Sequence, residues 1–475
     1  MNDFEETMAH TDADKAVEST IYEDDADKAA ESAACEHASR TSHTYVMFSA
    51  LFAPHVGGVE AYTAGLGRAL VQQGHRVIVA TSRLSKDDAE YEALPDGIEV
   101  YRLPCQSLLD GRLPISAPAY ACARQLEIIA AAHPDRVVIN TRFYGLSLVG
   151  AQFARKHNLP AIVIEHGSAH LSLGNPQADA VVERYEHAIT TRMKSYGFPF
   201  FAVSEQARQW LSHFGIEGAG IVANALDAPA FEAAASARDF RAELGLTEDD
   251  VLAAVVGRLV PEKGIPAVLE AAQWLDAQST TATPRIVFAV AGDGTLLERV
   301  KTAGRNVVAL GRLNSSDVAA LLRSSDVYLL PSRSEGFATT LLEAAAMHAY
   351  PLTTHVGGTD ELGIGQDGGI ILPDASAVSL VAALQVYCEN QSLCKQQADD
   401  LHERVVQHNT WDASALQLDA AFEQCASETA GTAPASCAAA STASNVATAP
   451  NRPRQTILKC SKATRSSTSS IACFS

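Results

Sequence analysis

The 475-residue sequence predicts an α/β protein of two facing Rossmann-like domains with a deep cleft between them, and three observations carry that expectation. From residue 44 onward, short β-rich runs alternate with helical stretches, the pattern that calls for parallel sheets covered by helices. The runs fall into two groups, separated at Asn224 to Asp250 by an Ala-rich, charged stretch with no strand signal. Length agrees, because domains of about 150 residues each give two or three here.

In chain order, the first group of strands is Tyr45 to Phe52, Arg76 to Thr81, Ile98 to Leu103, Arg136 to Asn140, Ala161 to Glu165, Phe200 to Val203 and Gly220 to Ala223. A helix running to about Gln73 and closed by Gly74 follows the first of them. The second group is Val251 to Val256, Arg285 to Ala291, Asn306 to Leu310, Val327 to Leu330, Tyr350 to Thr353 and Gly369 to Leu372. Helical segments follow at about 376–390 and 392–407, then Trp411 to Glu423. The intervening 224–250 reads as the inter-domain connection plus a short helix.

Composition narrows the function. At 47% hydrophobic and 19% charged, with no run of eighteen apolar residues, the chain is globular and has no membrane-spanning helix. A formal charge of −20 argues against nucleic acid as a partner, since phosphate backbones need a positive field. The charge is uneven: residues 1–40 carry 12 acids against Lys15, Lys28 and Arg40, and 427–475 one acid against five bases. The two ends therefore carry −9 and +4, leaving −15 for the middle. Both ends lack apolar periodicity, so 1–43 and 426–475 read as disordered tails. The N-terminus has no basic and apolar signal-peptide pattern, which implies a cytoplasmic location with peripheral contact at the inner membrane face left open. Nine Cys without a C-x-x-C spacing fit neither a disulfide framework nor a zinc site, so no metal is expected.

Open parallel sheets bind ligands beyond the carboxyl ends of their strands, which makes the loops after strands the places to look. Gly57 and Gly58 precede a helix start, where bare backbone and free N–H groups suit an anion such as phosphate. Their spacing is not the G-x-G-x-x-G of dinucleotide binders. Arg258 and Lys263 flank a Pro-containing turn after Val256 and together suit a diphosphate held without a metal. Gly292-Asp293-Gly294 and Gly311-Arg312-Leu313 follow two further strands; such loops can present backbone donors and acceptors to a base edge, but from the residues alone they read first as structural turns. Glu335, just ahead of a helix, can accept hydrogen bonds from sugar hydroxyls, and the amides of Gly336 and Phe337 can meet an anion. Were the segment helical, Glu335 and Glu343 would sit about 12 Å apart along the axis. That exceeds the roughly 5–9.5 Å of a glycosidase acid pair, which disfavours hydrolysis by paired carboxylates.

Taken together and in order, these motifs resemble the GT-B glycosyltransferases over about residues 44–425, and within them glycosyltransferase family 4 (group 1), retaining enzymes that use nucleotide-activated sugars. Val356-Gly357-Gly358 and Glu361 extend the match, while Ala338, Ala225 and the Met347-to-Pro351 stretch stand where the family usually has Gly. The resemblance implies an acceptor-side domain at 44–223, a nucleotide-sugar domain at 251–392, and helices at 393–425 packing back across the cleft. It implies that Arg258 and Lys263 hold the donor diphosphate, that Gly57 and Gly58 approach it, and that Glu335 takes the sugar hydroxyls. Glu343 would take the ribose hydroxyls, residues near Gly292 with Arg312 and Leu313 would frame the base, and His166 would lie near the anomeric carbon, with His170 a nearby competitor.

The implied reaction moves a sugar from a nucleoside diphosphate to a glycan, lipid-linked or small-molecule acceptor hydroxyl, in cell-surface glycan, glycolipid or polysaccharide biosynthesis. No cofactor beyond the nucleotide-sugar co-substrate is expected. Two other classes stay open: a catalytically inactive nucleotide-sugar-binding scaffold, and a GT-B epimerase or phosphorylase.

Overall fold

A computed structural model describes residues 41–431 apart from 109–112, 118–119, 173, 279–284 and 367. The expected tails, 1–43 and 426–475, lie almost wholly outside this range; where the second overlaps it, residues 426–431 continue the helix that starts at Trp411.

Two sheets, each covered by helices, form the molecule. The first contains β1 (Thr44–Phe48), β2 (Arg76–Arg83), β3 (Tyr91–Ala93), β4 (Glu99–Leu108), β5 (Leu113–Ser116), β6 (Arg136–Asn140), β7 (Ala161–Glu165), β8 (Phe200–Ala202) and β9 (Gly220–Ile221). Its strand order is β3-β4-β2-β1-β6-β7-β8-β9, with β5 also on β4. The β3 and β5 pairings are antiparallel and the rest parallel. Helices α1 (Gly58–Gln72), α2 (Ala123–Ala131), α3 (Gly145–His157), α4 (Pro176–Lys194) and α5 (Glu205–Leu211) connect these strands.

The chain then passes through α6 (Ala228–Ala233) and α7 (Phe240–Glu243) into the second sheet: β10 (Val251–Val256), β11 (Ile286–Ala291), β12 (Val307–Gly311), β13 (Val327–Leu330), β14 (Tyr350–Thr354) and β15 (Ile370–Leu372). This sheet is all parallel, in the order β12-β11-β10-β13-β14-β15. Its helices are α8 (Ile265–Gln278), α9 (Leu297–Lys301), α10 (Ser315–Ser324), α11 (Thr339–Ala346), α12 (Ala377–Glu389) and α13 (Gln391–His408), before α14 (Trp411–Gly431) closes the fold.

Alternation along the second sheet's strands explains why they read as unbroken apolar runs. On β10, Leu252 and Ala254 enter one core while Val251, Ala253 and Val255 enter another on the opposite face. Both faces are dry, so there is no polar position to mark a wet side. Residues 224–250 do more than connect: Ala228, Phe231 and Phe240 are buried in one of these cores, and Asp227 and Asp239 cap their short helices.

Of the helices after residue 392, only the last crosses to the first sheet. Cys394, Ala398, Leu401 and Val405 keep α13 on the second sheet, contrary to the expectation that the whole 393–425 segment packs back. Ala415, Leu418, Ala421 and Phe422 of α14 complete the first core. Gly65 of α1 lets the Trp411 indole lie against it, since a Cβ there would stand 2.2 Å from the ring. Asp419 of α14 takes hydrogen bonds from Tyr45 and from Arg136 (2.6 Å), and the Arg136 guanidinium lies over the Phe422 ring.

The two crossings between sheets run side by side. Leu226 N donates to Asn409 O (3.0 Å), Ser414 Oγ to Ala223 O (2.8 Å), and Ala223 N to Gln417 Oε1 (2.8 Å). Because Phe422 fills the first core from a returning helix, Phe422→Ala should lower stability by about 3–5 kcal/mol. Equilibrium urea unfolding measures this, and a loss under about 1 kcal/mol would mean that α14 contributes little to that core.

Candidate functional site

The second sheet's order reverses between β10 and β13, and a crevice opens where adjacent strands send their connections in opposite directions. The two loops at that point are 257–264 and 331–338, the segments carrying Arg258, Lys263 and Glu335. In the first sheet the same reversal lies between β1 and β6, beneath Gly57–Gly58 and Asn140.

Lys263 and Glu335 meet directly as an ion pair, both largely shielded from solvent. Arg258 is exposed and makes no ion pair among the described residues. Arg333 N donates to Glu262 O (2.9 Å), tying the two loops together. The β11 loop buttresses them: Leu259 N donates to Asp293 O (2.8 Å), and Cβ atoms on Gly292 and Gly294 would stand 1.8 Å and 2.5 Å from the Gly257 and Leu259 carbonyl oxygens. These two glycines therefore have a packing reason to be glycine, the structural-turn alternative left open by the sequence. Beyond β12, Arg312 is exposed and Leu313 packs half-buried against the second sheet's core.

Ahead of α11, Ala338 N donates to Gly357 O (2.8 Å), but the Gly336 and Phe337 amides donate to no partner among the described residues. Glu343 lies within α11, its carboxylate without a hydrogen-bond partner among the described residues, and burial pushes that carboxyl up to about 7.

The first sheet contributes two loops. Gly57 caps α1, and beside it the nearly buried Glu60 carboxylate holds His55 Nδ1 at 2.7 Å. A Cβ on Gly58 would meet nothing within 4 Å, so this backbone faces open space. His166 follows β7 directly. Asn140 Nδ2 donates to Thr63 Oγ1 (2.9 Å), which leaves Asn140 Oδ1 to accept from His166 Nε2–H (3.0 Å) and fixes the tautomer. The Tyr62 ring packs edge-on at 4.7 Å, and burial lowers the imidazole to about 3. His166 is therefore a neutral ring at working pH, an acceptor at Nδ1 and not an acid.

These two halves touch. Gly336 lies so close to the His166 carbonyl that a Cβ would stand 1.7 Å from its oxygen. Ser204 Oγ donates to Gly336 O (2.5 Å), and the Ser168 and Ser334 hydroxyls are 2.7 Å apart. Glu361 Oε1 accepts from Glu205 N (2.7 Å) at the start of α5 while Oε2 accepts from Gly358 N (3.0 Å). Phe337 packs against the cores of both halves. The structure thus joins His166, Lys263, Glu335, Gly336 and Phe337 along one seam. Ser204 and Asn140 were not singled out from sequence. Their one signal is position, each standing at or just past the end of a strand that faces the cleft.

A cavity of about 590 Å³ lies elsewhere, beside the two crossings, lined by Asn224, Glu361, Arg404, Asn409 and Ser414 among others. Of its lining residues, Glu361 also takes part in the seam described above.

Two family models match the chain, one in each half. Residues 236–404 match the family described as glycosyl transferases group 1, and 57–227 match a glycosyl transferase 4-like domain. TuaC of Bacillus subtilis (strain 168), named for teichuronic acid biosynthesis, is 35% identical over 167 residues, or 35% of this chain and 40% of that protein. The gpi3 component of phosphatidylinositol N-acetylglucosaminyltransferase from Schizosaccharomyces pombe is 24% identical over 80% of this chain and 81% of its own. Among solved structures, a sucrose-phosphate synthase from Thermosynechococcus elongatus superposes with TM-score 0.62 at 21% identity, covering 81% of this chain and all of that one. HepE from Anabaena, solved with UDP and glucose, gives 0.59 at 17% identity over 80% of this chain and 100% of its own. At those identities the structural likeness speaks for the fold, which is GT-B.

The raised Glu343 carboxyl has a stability consequence. An acid whose folded pKa exceeds its unfolded value costs stability as pH rises through the interval between them, here from about 4.5 to about 7. In the ligand-free protein Glu343→Gln should therefore raise stability at pH 8, by up to about 3 kcal/mol, and change it little at pH 5. Denaturant unfolding at both pH values tests this, and an equal effect at the two would contradict it.

Proposed function

The chain belongs to the group 1 glycosyltransferases, and from that premise we propose that it transfers a hexosyl or N-acetylhexosaminyl group from a nucleoside diphosphate sugar to an acceptor hydroxyl, with retention of anomeric configuration. The observation that carries the reading is the Lys263–Glu335 pair at the switch point of the second sheet, with the His166 loop of the first sheet against Gly336 across the seam.

The chemical task is to stabilise the diphosphate as its bond to the sugar breaks. Lys263 and Arg258 supply the cations, and the unpartnered Gly336 and Phe337 amides supply donors already in place, so little reorganisation accompanies the charge that develops. Glu335, released from Lys263 as the phosphates arrive, takes the sugar hydroxyls. Glu343 takes the ribose hydroxyls, and because that needs its ionised form, donor binding draws its carboxyl back down from about 7. Gly57 and Gly58 bring the α1 N-terminus to the diphosphate. Gly292, Arg312 and Leu313 frame the base. His166, neutral and held by Asn140, offers an uncharged polar wall near the anomeric carbon, where a front-face departure lets the leaving phosphate accept the acceptor's proton. No divalent ion is needed at the diphosphate. The acceptor belongs to cell-surface glycan, glycolipid or polysaccharide synthesis, a reading supported by relatives named for teichuronic acid and phosphatidylinositol glycosylation.

A panel of nucleotide sugars tested for donor hydrolysis identifies the donor, and proton NMR of the first-formed product reads its anomeric configuration. Hydrolysis of no nucleotide sugar, or a product of inverted configuration, would overturn the proposal. Lys263 faces oxygens whose charge grows toward the transition state, so Lys263→Ala should lower kcat by about 10²- to 10³-fold. Glu343 faces hydroxyls that do not change, so Glu343→Ala should raise the donor KM by about 10- to 150-fold with a smaller effect on kcat. Steady-state kinetics on both variants, with folding checked by circular dichroism, separates the roles; equal kcat losses with unchanged KM would show the division to be wrong.

A further inference from the structure

Three histidines far apart in sequence converge beside the seam. His170 lies in the loop after β7, His187 in α4, and His213 in the turn Ser212–Phe214 after α5. His213 Nε2 stands 3.2 Å from His170 Nε2 and 3.3 Å from His187 Nε2, and the three ligand atoms lie within 4.8 Å of one another. Nitrogens each about 2.0–2.1 Å from one ion at the tetrahedral angle would stand about 3.3–3.4 Å apart.

Hydrogen bonding does not account for this arrangement. A ring nitrogen carries either one proton or one lone pair, both in the ring plane. His213 Nε2 can therefore make one full hydrogen bond, and a second neighbour gets at best the weaker share of a three-centre one. An ion at the centre takes a lone pair from all three rings.

The surroundings are those of an oriented ligand set. Glu186 Oε2, almost wholly buried, accepts from His170 Nδ1 (3.0 Å), which leaves Nε2 bare and aimed inward. Glu186 is itself held by Arg142 (3.1 Å) and accepts from Leu171 N (2.9 Å). Trp210 stacks on His213 at 4.7 Å, and Arg142 lies over Phe214 at 3.9 Å. Glu183 Oε1 stands 3.7 Å from His170 Nε2, at the edge of this group of three rings.

We propose that His170, His187 and His213 form a binding site for one divalent transition-metal ion, zinc by its imidazole donor set, with water as the fourth ligand. The ion ties the loop after β7, which begins at His166, to α4 and to the turn after α5. Its role is to position that loop. It is separate from the diphosphate chemistry proposed above, and its test does not read transfer activity.

The full chain, produced without a histidine tag and stripped with chelator, is titrated with Zn²⁺ against a chromophoric competitor and with Co²⁺ for the visible bands of a tetrahedral site. One equivalent per chain is expected, with a rise in melting temperature on adding Zn²⁺. His187→Ala and, separately, the exposed His213→Ala should each weaken binding more than about 100-fold, beyond what loss of an outer-shell partner costs, and abolish the zinc-dependent rise. Two variants guard against one that fails to fold, and each is compared with its own metal-free melting curve. Absence of stoichiometric binding, or equal affinity in wild type and both variants, would overturn the proposal and leave the three rings as an aromatic cluster packed on Trp210 and Phe214.

Discussion

The site depends on backbone meeting backbone with no side chain between. Gly336 against the His166 carbonyl, Gly357 against Gly336, and Gly292 against Gly257 are all approaches that a single methyl group would prevent. Each brings a loop from one strand end against a loop from another. Side chains that act on a ligand can therefore converge from both sheets without long reaches, which keeps their geometry stiff. Glu361 and Ser204 then fasten the two halves by hydrogen bonds at the same seam.

Electrostatics at the seam are local, since a chain with −15 between its tails repels an anion at long range. Attraction for the diphosphate of the proposed donor would have to come from groups within a few ångströms. Lys263 arrives already balanced by Glu335, so in the free protein neither charge is stranded in a partly buried place. Deeper in the first half, Arg142 plays the same balancing part between Glu165 and Glu186, all three almost wholly buried.

Much of this is legible in the sequence, and the exceptions have physical causes. The second sheet's strands read to within one residue at either end, because strands dry on both faces give unbroken apolar runs. β1 ends four residues before the apolar run does, since Ala50, Leu51 and Phe52 are buried in the loop itself. β3 and β5 were invisible: all three residues of β3 are exposed, and β5 carries a proline on an edge. The Gly292 and Gly294 pair looks the same in sequence whether its purpose is a ligand or a neighbouring loop, and only the approach to Gly257 and Leu259 reveals the second. The His170, His187 and His213 cluster leaves no pattern at all, because its members sit on three elements brought together only by tertiary packing.

The paired crossings say something about how such a chain is assembled. It enters the second half near Leu226 and leaves it near Asn409, and those two points are hydrogen-bonded to each other. Since Ser414 and Gln417 bond straight back to Ala223, the first half already has both of its loose ends in register. Topologically the second half is an insert within the first, entered and left through one doorway. Excising 227–408 and bridging the gap with a few flexible residues would leave a continuous single-sheet protein, and the excised piece would begin and end at neighbouring points on its own surface. Such an arrangement lets either half be exchanged for another without rethreading the rest of the chain.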